Sequence, residues 1–436
     1  MPHVYISHSG QDPDALLRLH EALRNAAIAS KYAVGEPDRE TADGEIGTAF
    51  AVIVLVSAAA VRSRAVRQDV EAAKSMGLPI IPYQIDKARL TGFFKSEVLP
   101  LLHLSSTQPD GLARLVAETQ AAYRKKCPVV AVMNLKGGVG KTTVTAQLSG
   151  VWQESFGGRV LLIDLDPQYN LTQTFYSMEE ADAWSGTDRS VISLFERSRL
   201  HARDAVSPAE NWLSLTTAPF TPAARDAFVH DILGTDGPPG RLDIISGQFE
   251  ISKYAFANDR DALAAIKQHF LRSIDHYRSE YDLIVFDTNP NATFLTRCAL
   301  EAADRVIAPM HADIYSLRGV RLLNLVIRDQ VEESKRPALS VLFNAVGRNE
   351  QSTFEGDARN GVYDQIAGFP LSKALMNAAL PRSAHLAVRA PQDGQPAWKQ
   401  LLAHSGRGGG LGAIRNSLKQ IALELKTLSE GGNAGH

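Results

Sequence analysis

Cysteine is nearly missing from this chain: Cys127 and Cys298 are the only two in 436 residues. Neither has further metal-ligating residues beside it, which excludes a disulfide framework and a zinc site and points to a reducing compartment, the cytoplasm. Long apolar runs are missing as well. The longest, residues 49–61, is too short to cross a bilayer and reads as a buried strand with its turn. The opening stretch MPHVYISHSGQD has no basic segment followed by an apolar core, so no secretion signal is expected. An excess of charge of one sign is also absent. With a formal net charge of −2, any hold on nucleic acid or anionic lipid must come from a local patch. The last helical stretch, residues 411–428, mixes basic and acidic residues and lacks the aromatic-rich cationic face of a helix that lies on a membrane.

What is present is the composition of a folded protein, 44% hydrophobic and 22% charged, in a chain too long for one ordinary domain. Two α/β units are expected, 1–124 and 125–430. In the first, strands at 3–7, 51–56 and 79–85 alternate with helices at 14–27, 67–76 and 111–123, which implies a parallel sheet covered on both faces. A turn at Gly44 leaves little room for a further helix before the central strand. The basic, proline-ended stretch YRKKCP at 123–128 reads as the boundary. His3 and His8, near the end of the first strand, read as hydrogen-bonded structural residues.

The second unit is organised around VVAVMNLKGGVGKTT, residues 129–143. An apolar, β-branched strand runs into a glycine turn, and a helix follows at once. That arrangement aims backbone N–H groups and the positive end of a helix at one point, where a polyphosphate can sit. Lys141 supplies a mobile cation for the β- and γ-phosphates, and Thr142 a hydroxyl for Mg²⁺. Further strands are expected at 159–164, 242–246, 283–287, 305–309 and 339–344, with helices at 144–156, 190–197, 260–277 and 411–428. The strand at 159–164 would deliver Asp164 and Asp166 to the carboxyl edge of the sheet, where open α/β sheets bind ligands. The interval 201–240 reads as an elaboration, a loop or a partner surface.

Leu135 stands where the general phosphate-loop pattern has a glycine, and KGGVGKTT adds a second lysine, Lys136. This motif resembles the deviant phosphate loop of the ParA/MinD family of ATPases. RVLLIDLDPQYNLT (159–172) resembles that family's second strand and first switch, and YDLIVFDTNP (281–290) its magnesium strand and second switch. ALEAADRVIAPMHADIYSLRGVRLL (299–323) keeps the family's register, so the resemblance spans most of 127–426. It implies ATP and Mg²⁺ as cofactors. Gly137, Gly138, Val139, Gly140, Lys141, Thr142 and Thr143 would hold the phosphates, and Asn344 and a loop at 390–396 would lie near the adenine. Thr142 would bind Mg²⁺ directly, Asp287 through a water, and Asp164 would support the magnesium shell or the loop itself. Asp166 would orient the attacking water. Lys136 would cross to a partner's nucleotide, making a homodimer with sandwiched ATP.

In the first unit, VYISHSGQD, AVIVLVS and DVEAAKSMGLPIIPYQID resemble a TIR domain, which implies a flavodoxin-like parallel sheet. NAD-cleaving members use a glutamate at the start of the helix after the central strand. Here Asp69 occupies that position, Ala65 replaces the tryptophan before it, and Glu71 lies on another helix face, so an interaction scaffold is favoured over NAD hydrolysis. Two functions stay open. One is a DNA-partition or cargo-positioning switch, nucleoid-associated, released by a partner that stimulates hydrolysis, with Arg318, Arg321 and Arg328 as candidate phosphate contacts or simply a solvated face. The other is a nucleotide-gated TIR sensor in a defence or conflict system.

Overall fold

The computed structural model describes residues 3–26, 28–33, 39–76, 78–184, 189–196, 215–217, 220–225, 229–234, 237–238, 240–345, 351–386, 397–404 and 411–430. The chain divides into two compact units, Met1–Lys126 and Cys127–His436.

Unit 1 runs β1 (Val4–Ser7), α1 (Pro13–Asn25), β2 (Ser30–Tyr32), α2 (Arg39–Thr48), β3 (Ala51–Val56), α3 (Arg64–Ser75), β4 (Ile80–Gln84), α4 (Gly92–Glu97), β5 (Leu104–Ser105) and α5 (Gly111–Lys126). Its strands are parallel in the order β2-β1-β3-β4-β5, a doubly wound sheet of the flavodoxin type. AVIVLV forms the central strand because both of its faces are covered: Ile53 and Leu55 pack with the α1 stripe Leu16, Leu19 and Leu23, while Val52, Val54 and Val56 pack with Val66 and Val70 of α3. The Ser63 side chain caps α3 by accepting from the Val66 N–H.

One local expectation is corrected. Gly44 lies inside α2 and not in a turn; burial of Ala42 and Ile46 outweighs the roughly 1 kcal/mol that each glycine costs a helix. In the boundary stretch α5 continues to Lys126 and stops before Cys127-Pro128, where proline disfavours helix in the preceding residue.

Unit 2 continues with β6 (Val129–Val132), α6 (Lys141–Phe156), β7 (Arg159–Asp164), α7 (Asn170–Phe175), α8 (Met178–Trp184), β8 (His230–Asp231), β9 (Arg241–Ile245), α9 (Arg260–Tyr277), β10 (Leu283–Asp287), α10 (Phe294–Ala302), β11 (Arg305–Met310), α11 (Ile314–Gln330), β12 (Ala338–Phe343), α12 (Gln351–Arg359), α13 (Asp364–Ala367), α14 (Leu371–Ala374) and α15 (Leu411–Glu430). The sheet order is β12-β11-β6-β10-β7-β9-β8, parallel throughout except for the β8–β9 pair. Alternate residues of β10 enter opposite cores, Ile284 and Phe286 on one face, Leu283 and Val285 on the other. The register pairs Asp287 with Val132 on one side and with Asp164 on the other, so the ends of β6, β10 and β7 meet at the carboxyl edge.

Most of the expected elaboration, including 201–214, lies outside the described residues, as does the loop at 390–396. Within the described part, β8 adds a short antiparallel edge strand, and Arg225 is anchored to the buried Asp243 at 2.9 Å.

Candidate nucleotide site

The turn between β6 and α6 needs glycine at two points. Gly138 and Gly140 have φ of 74° and 87°, in the left-handed region. At Gly140 a Cβ would also lie 2.3 Å from Asn344 Nδ2. Asn344, directly after β12, donates that amide to the Val139 carbonyl at 2.7 Å and is buried. Its amide therefore clamps the loop backbone.

Gly140 is the N-cap of α6 and Lys141 its first residue, so the unpaired N–H groups of the helix start surround the glycine turn. Lys141 is 8% exposed. Burial lowers its pKa, while the nearby Asp287 and Asp166 oppose that shift. The Thr142 hydroxyl donates to Asp287 Oδ2 at 2.7 Å, and Thr145, one turn on, lies 3.3 Å from Asp287 Oδ1. Burial pushes the Asp287 pKa up, opposed by the Thr142 hydrogen bond and reinforced by Asp166. Gly137 and Gly138 are exposed on the turn, Val139 is buried beneath it, and Thr143 is half-buried on the first turn of α6.

Asp164 and Asp166 part company. Asp164 is fully buried and accepts the Thr172 N–H at 2.9 Å, the Thr172 hydroxyl at 2.8 Å and the Asp166 N–H at 3.2 Å. Both of its oxygens hold the segment after β7. Burial, then the neighbouring Asp287, raises its pKa well above the carboxylate range. Asp166 lies closer to solvent, accepts the Gln168 N–H at 3.0 Å, and has its pKa raised by burial.

An oxygen-ligated divalent cation fits this chemistry: a hydroxyl and a carboxylate adjoin beside a phosphate-binding turn, and a positive charge would offset the buried acids. No group of three or more His, Cys, Asp or Glu able to hold a metal occurs among the described residues. Mg²⁺ takes only one or two protein ligands when phosphates and water supply the rest, and the Thr142 hydroxyl and Asp287 carboxylate are of that kind.

A family model described as an AAA domain matches residues 127–341, all within unit 2. The chromosome-partitioning ATPase Soj of Thermus thermophilus is 30% identical over 220 residues, which is 50% of this chain and 68% of the relative. The chain belongs to the ParA/Soj family of ATPases. The chromosome partitioning protein ParA of Caulobacter vibrioides is 27% identical over 273 residues, 62% of this chain and 85% of the relative. The solved structure of pNOB8 ParA shares the fold at a TM-score of 0.51 and 20% identity, over 70% of this chain and 100% of that one.

Two pieces of this ParA-type site escaped the sequence reading. Asn134 is fully buried, accepts the Lys136 N–H at 2.9 Å and donates to the Pro309 carbonyl at 2.8 Å, tying the start of the loop to β11. A polar residue closing an apolar strand was the available signal. Lys136 is held within its own protomer: its Nζ lies 3.2 Å from Asp313 Oδ1 and 2.9 Å from Ser316 Oγ, both at the start of α11. No local pattern links residues so far apart.

In unit 1, Asp69 is buried and accepts the Ser7 hydroxyl at 2.7 Å, whereas Glu71 is exposed and paired with Arg67 at 2.9 Å. The two acids do not converge. His3 and His8 lie 3.0 Å from the carbonyls of Glu45 and Ala33 respectively.

Proposed function

We propose that this chain is an ATP-binding and ATP-hydrolysing dimerisation switch acting in DNA partition or cargo positioning. The observation that carries the reading is the convergence of Lys141, the Thr142–Asp287 pair and Asp166 on a glycine turn at a helix N-terminus. Phosphoryl transfer to water depends on positioning and charge neutralisation, not on covalent chemistry from the protein. The N–H groups of the turn and the Lys141 ammonium hold the β- and γ-phosphates. Asp166 orients water for in-line attack. Mg²⁺, when bound, neutralises phosphate charge, and Thr142 and Asp287 are the residues that would hold it. Lys136 reaches a second protomer's nucleotide, so ATP becomes part of the interface and loss of the γ-phosphate loosens it.

Unit 1 is read as a TIR-like interaction domain, supported by its strand order and not as an NAD hydrolase, because Asp69 is committed to Ser7. Non-specific DNA is a partner in this reading: Arg318, Arg321 and Arg328 are all exposed on α11, although Arg321 also donates to the Ile366 carbonyl at 3.3 Å. A protein that stimulates hydrolysis and a nucleoid-associated location complete it. No helix among the described residues is long and apolar enough to cross a membrane.

Lys141→Ala tests the site. Within one protomer Lys141 is the ammonium assigned to the phosphates, so the variant is expected to lose both binding of a fluorescent ATP analogue and phosphate release. Unchanged affinity would remove the assignment. Salt-dependent DNA binding with ATP supports the partition reading, whereas NAD consumption supports the defence alternative.

A further inference from the structure

The lysine assigned to a partner's nucleotide is already occupied in its own protomer. Its Nζ sits 3.2 Å and 3.4 Å from the two Asp313 oxygens and 2.9 Å from Ser316 Oγ. Asp313 is itself fixed, because it caps α11 by accepting the Ser316 N–H at 2.7 Å and the Ser316 hydroxyl at 2.9 Å. The three side chains form a closed set at the start of one helix. The backbone of the lysine is set against the same helix: a Cβ on Gly319 would lie 2.4 Å from Asn134 Oδ1 and 3.0 Å from Lys136 Cβ, so only glycine lets the loop rest there.

An ammonium has three donors in a compact head. Asp313 and Ser316 draw on that head, and a phosphate on another protomer would compete with them for it. The pair is nevertheless able to exchange, since the side chains of Lys136 and Asp313 are 32% and 37% exposed.

We propose that Asp313, with Ser316, is a positioning residue that parks Lys136 within its own protomer, so that ATP-dependent pairing must exchange this contact for the partner's phosphates. This inference rests on the nucleotide-sandwich reading above. It makes the start of α11 a brake on dimerisation: two such contacts break for each dimer formed. A part-exposed ion pair corresponds to a factor of about 1.4 to 5 per protomer. Two protomers together give about 2- to 30-fold.

Asp313→Asn separates this role from a structural one, because asparagine caps a helix as well as aspartate does but carries no charge. Light scattering over a protein dilution series, with Mg²⁺ and a non-hydrolysable ATP analogue, reads the concentration at half-dimerisation. Asp313→Asn is expected to lower it by about 2- to 30-fold, and Ser316→Ala, which leaves the capping carboxylate in place, to lower it by less. In a Lys136→Ala background, Asp313→Asn is expected to change nothing further. An unchanged or raised midpoint for Asp313→Asn overturns the proposal, and so does an equal shift in the Lys136→Ala background. If the parent protein does not pair with the analogue at all, the sandwich reading fails and takes this inference with it. A parent that pairs normally alongside a null result in Asp313→Asn sinks the inference alone.

Discussion

Gly140→Ala should damage nucleotide binding through two separable effects. The alanine must adopt φ 87°, in a region that L side chains rarely visit, at about 1–2 kcal/mol. Its Cβ would also fall 2.3 Å from Asn344 Nδ2, forcing that side chain off the Val139 carbonyl it holds at 2.7 Å. The lost hydrogen bond adds about 0.5–1.5 kcal/mol. If the loop carries the whole penalty, ATP affinity falls by about 10- to 400-fold. Asn344→Ala loses only the hydrogen bond, so its affinity should fall by about 2- to 13-fold. Because Asn344→Ala removes the atom that the new Cβ meets, the double variant should be less impaired than the sum of the two single variants. Titration with a fluorescent ATP analogue in Mg²⁺ measures all three. Gly140→Ala binding within twofold of the parent, or Asn344→Ala as severe as Gly140→Ala, would refute this account of the loop.

In the absence of metal the Asp287 carboxyl is pushed up to about 7, mainly by burial. A raised acid is protonated below that value, so binding a cation there must expel a proton. Mg²⁺ affinity in the presence of nucleotide should be level above pH 7 and fall by up to about tenfold per unit below it; calorimetry that finds the same dependence in Asp287→Asn would reject this cause. The same shift means that the metal-free fold should lose stability as pH rises from about 4 toward 7 through this group, a contribution that Asp287→Asn should remove from thermal melts. The full chain should release no nicotinamide from NAD above a blank, given the Ser7 contact on Asp69 and the exposure of Glu71. Release that depends on either acid would revive the hydrolase alternative.

Elements with a strong local period were readable before any coordinates. Arg260–Tyr277 and Leu283–Asp287 have the bounds that their apolar spacing suggests, and Lys141, Thr142 and Asp287 lie together at the end of β6 and β10. What was not readable depends on contacts between distant residues. Gly44 looked like a turn because only burial of Ala42 and Ile46 makes α2 worthwhile. Asn344 was placed near the base on its strand-end position alone; its hold on Val139 depends on the packing of β12 beside the loop. Asp164 and Asp166 are two residues apart in one motif, and only the fold of the next segment onto Asp164 separates their roles. Lys136 could be assigned a trans role from its motif, but not its resting partner at the start of α11.

The central claim is that ATP joins two protomers through a lysine acting across the interface and is removed by an acid acting within each protomer. Light scattering of Asp166→Ala and Lys136→Ala with ATP and Mg²⁺ tests it most directly. Asp166→Ala keeps the phosphate cradle and slows hydrolysis, so it should accumulate as a stable dimer. Lys136→Ala still binds ATP through Lys141 but loses charge-assisted contacts across the interface, about 1.5–3 kcal/mol each, and should stay mostly monomeric. A monomeric, ATP-bound Asp166→Ala, or a Lys136→Ala that pairs as readily as the parent, would contradict the mechanism.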